Sequence, residues 1–153
     1  MSLINSLIAK LFGTKSEKDM KAIAPIVTQI KEIYPTIQAL SNDELRARTQ
    51  ALRQQIQDAI KEDVERVAKL KEEAEALDCP VDVKERNYKE VDDTEKEIDK
   101  TVEEVLTNIL PEAFAIMKDT ARRFAENETI EVTATDFDRE LALTKDFVSI
   151  EGD

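Results

Sequence analysis

Apolar residues recur along this chain in steps of three and four over most of its length, the spacing of one helical face. Leu3, Ile4, Leu7, Ile8, Leu11 and Phe12 open the series, and Gly13 supplies a C-terminal stop. The next helix is expected to begin at Ser16, where Ser16 with Asp19 makes a variant capping box. Met20, Ile23, Val27, Ile30 and Tyr34 form its apolar face. Pro25 should kink this helix or mark its start, and Pro35 should end it. The stretch "LSNDELRARTQALRQQI", residues 40–56, opens with a full capping box, Ser41 with Glu44. No Gly or Pro then intervenes until Pro80, while Leu52, Ile56, Ile60, Val64, Val67, Leu70, Ala74 and Leu77 keep the rhythm. That predicts one helix of about 35 residues, roughly 50 Å long.

"LDCPVD", residues 77–82, breaks it. Tyr88, Val91, Glu95, Ile98, Val102, Val105 and Ile109 then fit a heptad, with Glu95 the one polar intruder. Two long helices around a short break predict an antiparallel helical hairpin. Pro111 should end or bend the second helix, with a fresh helix from about 111 to 127. That last helix carries Leu110, Ala113, Phe114, Met117, Ala121 and Phe124 as a stripe that must be buried against something. "TIEVTAT" alternates as a strand does, residues 136–144 are weakly helical, and "DFVSI" reads as a second strand. The expected fold class is all-α, extended, with short strands near 129–135 and 146–150.

Composition sharpens this picture. Of 153 residues, 37% are charged, 5% are aromatic and only two are glycine, a balance that favours long helices over tight turns. The net charge of −12 makes nucleic acid an unsuitable partner, since phosphate binding needs clustered Lys and Arg. Cys79 is the sole cysteine, so no intrachain disulfide can form, which fits a reducing cytoplasm. No run of 18 apolar residues offers a transmembrane span. The first residues lack the small-residue cleavage site of a secretory signal.

Chemistry adds little. Without histidine, His-based metal sites and catalytic triads are excluded. With Gly13 and Gly152 alone, neither a P-loop nor a dinucleotide fingerprint can be built. Acids such as Asp92, Asp93, Glu95, Glu97 and Asp99 read as a solvated helical face. Cys79, set in a turn between Asp78 and Asp82, reads as an incidental cysteine rather than a reactive thiol. No catalytic, metal or cofactor residue is therefore assigned.

The order of three blocks carries more information than any of them. "KLFGTKSEKDMKAI" is followed by "LSNDELRARTQALR" and later by "LPEAFAIMKDTARRF". In this order they resemble the extreme N-terminal region of the SecA family, the ATP-driven motors of bacterial preprotein export. The resemblance covers residues 1–56 and 106–127. Residues 57–105, with the hairpin, and 128–153 look like insertions of the Bacteroidetes-type branch. The segments expected are an amphipathic helix at 1–13, a helical segment at 14–56, an inserted hairpin at 57–105, a "PEAF" helix at 106–127 and a mixed tail at 128–153.

The resemblance implies a non-catalytic N-terminal piece of a longer ATPase, with ATP and magnesium belonging to the parent's motor downstream. It implies attachment to a SecYEG-type translocon and an anionic phospholipid surface, at the cytoplasmic side of the inner membrane. Leu3, Ile4, Leu7, Ile8, Leu11 and Phe12 would enter the lipid boundary, with Lys10, Lys15 and Lys18 at the headgroups. Leu110, Phe114, Met117, Ala121 and Phe124 would pack partly on the helix at 43–56 and partly on the rest of the motor. Left uncovered, that surface would favour a homodimer. One alternative stays open, a free-standing helical adaptor that binds a partner through its hairpin.

Overall fold

The computed structural model describes residues 15–152, and every described regular element is a helix: α1 (Lys15–Gln38), α2 (Asn42–Glu75), α3 (Val81–Glu126) and α4 (Asp136–Thr144). The amphipathic stretch expected at 3–12 lies outside the described residues.

The start of α2 follows the capping box as expected. Ser41 Oγ accepts from the Glu44 amide at 3.2 Å, and the Glu44 carboxylate accepts from the Ser41 amide at 2.7 Å. The helix then runs 34 residues, about 50 Å. At Ala76 the backbone leaves the helical region, and Pro80 sits at the N-cap of α3, where its missing N–H removes no helical bond.

Two proline expectations are corrected. Pro35 does not end α1, which continues to Gln38, and Pro111 does not start a fresh helix but lies buried inside the 46-residue α3. An interior proline lacks one ladder bond and crowds the carbonyl four residues back, a cost of about 3 kcal/mol. Pro111 is itself buried, and Pro35, though exposed, lies among residues whose burial offsets that cost. Ile33, Tyr34 and Ile37 flank Pro35, Ile109, Ala113, Ala115 and Ile116 flank Pro111, and all of these belong to the core or pack against it. Pro25 also lies within α1, beside the exposed Met20, Ile23 and Val27, and nothing in the packing offsets it.

The core joins the C-terminal end of α1, the first turns of α2 and the later half of α3. Ile37, Leu45, Leu52, Ala115 and Ile116 form it, with Ile30, Ile33, Tyr34, Leu40, Ile109 and Ala113 around them. Beyond it, α2 and α3 pack on each other along their length. Arg48 pairs with Glu112, Arg66 with Glu90, Lys71 with Glu95 at 2.8 Å, and Asn87 donates to Glu73 at 3.4 Å.

The register of that seam differs from the heptad expected. Glu95 is exposed and paired with Lys71, and Tyr88 is also exposed, whereas Asn87 and Thr94 are buried beside Val91. The seam is thus shifted by one residue at two points, and on the α2 side Ala74 is fully covered. Thr94 satisfies its hydroxyl on the Glu90 carbonyl, one turn back, at 2.8 Å.

The strands expected near 129–135 and 146–150 are absent: among the described residues no strand forms. Residues 129–135 meet helix side chains instead of another strand. The weakly helical stretch 136–144 is α4, capped by Thr135 and Asp138 in a second capping box.

Candidate docking site

The later half of α3 is apolar on two sides. One side enters the core through Ile109, Ala113, Ala115 and Ile116. The other carries Phe114, Met117, Ala121 and Phe124 at exposed positions, with Leu110 half-buried between the two. Phe114 is 55%, Met117 67% and Phe124 69% exposed. Three large apolar side chains thus stand uncovered together on one helical face, a candidate docking surface.

A polar latch lies beside that face. Arg123 Nε donates to Asp119 at 2.7 Å, Nη1 to Asn42 Oδ1 at 2.7 Å and Nη2 to the Leu40 carbonyl at 2.6 Å. Arg122 Nε donates to the other Asp119 oxygen at 2.9 Å, and the Tyr34 hydroxyl approaches it at 3.4 Å. Asp119 is fully buried. Burial alone would raise its pKa, but hydrogen bonds from Arg122 and Arg123 and their charges outweigh this and hold it below the ordinary carboxylate value. Among the described residues the fully buried acid is thus Asp119. Its spacing to Arg122 and Arg123, three and four residues on, was the signal available in the sequence.

Beside the exposed face runs an apolar groove of about 490 Å³, lined by Leu45, Thr49, Ile116, Met117, Phe124, Ile130 and Val132 among others. Its outer wall is the segment after α3, fastened to α2 by polar contacts. Asn42 donates to the Glu131 carbonyl at 2.8 Å, and Arg46 Nη1 to the Thr133 carbonyl at 3.0 Å. Asp43 accepts from the Thr133 amide at 2.9 Å and hydroxyl at 2.7 Å. These two bonds hold the Asp43 carboxyl below its ordinary value. Arg46 Nη2 also reaches Asp138 at 2.6 Å, the same carboxylate that caps α4. Arg46 first, and then the Thr135 amide and hydroxyl, pull the Asp138 pKa down to about 2.

Of the residues expected at a membrane surface, Lys15 and Lys18 stand exposed in the first turn of α1. Leu3, Ile4, Leu7, Ile8, Lys10, Leu11 and Phe12 fall outside the described residues. No helix among the described residues is long and apolar enough to cross a membrane.

The family described as "SecA DEAD-like domain" matches residues 8–136. The chain belongs to the SecA family. Among curated SecA relatives, the "Protein translocase subunit SecA" of Porphyromonas gingivalis is 55% identical over 149 residues, covering 97% of this chain and 13% of its own length. That of Parabacteroides distasonis is 52% identical over the same share of each. That of Flavobacterium psychrophilum is 44% identical over all 153 residues and 14% of its own length. The chain therefore spans about one eighth to one seventh of the SecA relatives it matches. These matches span residues 57–105 as well, so that stretch is not peculiar to this chain. None of these relatives supports a free-standing adaptor. No solved structure matches.

Proposed function

We propose that this chain is the N-terminal part of a SecA-type translocase that drives preproteins across the bacterial inner membrane from the cytoplasmic side. Identity above 50% over nearly the whole chain to proteins named as translocase subunits carries the reading. Within that machine this part does no ATP chemistry. Gly152 is the one glycine among residues 15–152, so no glycine-rich phosphate cradle exists there for ATP and magnesium. They belong to the remainder of the protein, and no step is derived through them.

The contribution of this part is attachment and bracing. Residues 1–13, with Lys15 and Lys18, attach to anionic phospholipid and the SecYEG-type translocon. The face of Leu110, Phe114, Met117, Ala121 and Phe124 packs on the motor, which also removes the drive to form a homodimer. Residues 57–105 form an antiparallel hairpin that projects from the core as a separate unit, between the segments 14–56 and 106–127, with 128–153 leading onward.

ATP hydrolysis by the full-length gene product beside the 153-residue chain tests this, together with sedimentation of both on anionic vesicles. The longer protein should hydrolyse ATP and the short chain should not, and Leu7→Asp should release both from vesicles. Hydrolysis by the short chain, or none by the long one, overturns the translocase reading. Equal absence of vesicle binding overturns the anchor alone.

A further inference from the structure

Between α3 and α4 the chain passes through residues 127–135, with Asn127 and Thr135 both in β-region backbone geometry. The contacts between them alternate with a strand's period of two. Glu131 and Thr133 turn their backbone groups to Asn42, Asp43 and Arg46 of α2. The backbone N–H and C=O groups of Ile130, Val132 and Ala134 make no hydrogen bond with any described residue. In a strand, polar groups of alternate residues point to the same edge. One edge of this segment is therefore fastened by α2, and the other is bare.

A second observation bears on the same place. The Ile130 and Val132 side chains line the apolar groove together with Met117 and Phe124. A strand laid on the bare edge would set its own alternate side chains on that side, over apolar surface that is now exposed. Main-chain bonds would hold it and the groove would select its side chains, as in strand addition generally.

We propose that residues 129–135 are an acceptor strand, completed by an amphipathic β-strand from the part of the full-length protein outside these 153 residues. The proposal rests on the reading that this chain, like its relatives, is part of a much longer protein. The relatives are seven to eight times its length, which leaves ample chain to supply the strand. A second copy fits less well. A seven-residue strand contact falls far short of the roughly 1,600 Å² of a standard stable interface, and two strands alone are marginal in water. A covalently linked strand meets the edge at an effective concentration in the millimolar range.

Residue-resolved amide hydrogen exchange decides this, measured on the 153-residue chain at two concentrations and on the full-length protein. In the short chain the Ile130, Val132 and Ala134 amides should exchange freely, while Thr133 is slowed by Asp43. In the full-length protein all three should slow by about 100-fold or more, as paired strand amides do. Val132→Pro, which removes the central donor, should release Ile130 and Ala134 in the full-length protein without changing the helix content of either. Free exchange at all three positions in a full-length protein that still hydrolyses ATP overturns this inference and leaves the translocase reading standing. Concentration-dependent protection in the short chain also overturns it, in favour of a second copy.

Discussion

Arg123 places three donors on three different partners, and those partners belong to α3, α2 and the turn after α1. No other described side chain ties the ends of all three helices. Its removal would leave the Leu40 carbonyl and Asn42 without their donor, and Asp119 buried with only Arg122 and a long contact to Tyr34. Breaking a buried pair by deleting one partner typically costs 3–5 kcal/mol. Arg122 still neutralises Asp119, so Arg123→Ala should lose about 3 kcal/mol, read as a lower urea midpoint. Arg48→Ala should cost under about 1 kcal/mol, because its pair with Glu112 is solvent-exposed on the arginine side. The sequence disclosed only part of this. The Asp119, Arg122 and Arg123 spacing is visible in the letters, but the role of Leu40 and Asn42 depends on a turn that brings them across some 80 positions.

The helices themselves were largely legible, because a period of 3.6 in apolar positions is a strong and redundant signal. The capping box at Ser41 and Glu44 and the break before Pro80 needed no tertiary information. What failed was decided by packing. Pro35 and Pro111 read as helix ends until the neighbouring core is known. The seam register failed for the same reason: Tyr88 and Glu95 fit a heptad, but Asn87 and Thr94 are the residues that fit against α2. "TIEVTAT" has strand character, yet strands form only in pairs. Buried Asn87 has one long bond to show for its burial, so Asn87→Val should raise stability by about 1 kcal/mol at some loss of register specificity. Glu95→Val, at an exposed position, should change it by less than about 0.5 kcal/mol. Urea melts of the two variants discriminate the observed register from the simple heptad, which requires the opposite order.

At the scale of the molecule, the apolar cluster that joins three helices lies at one end. Its residues lie at 30–52 and 109–116, and the stretch 57–105 buries only Ala74 and Val91 among its apolar side chains. Arg48 pairs with Glu112 beside this cluster, and the proposed hairpin would bring residues near 57 close to residues near 105. Replacing 58–105 by a short bridge should therefore leave a cooperatively folding three-helix root. Its far-UV helicity should fall only by the helix removed. A collapse of the thermal transition would show that the long helices hold the root together.

The hairpin proposed above, a stiff pair of helices fastened at one end, would also be a lever. From Leu52, the last residue of α2 in the three-helix cluster, to its end at Glu75 the arm reaches roughly 35 Å. A rotation of about 5° at the root would carry the turn at 76–80 through about 3 Å. The latch at Arg123 lies at the fulcrum, so a change too small to disturb the core would be read out, enlarged, at the far tip.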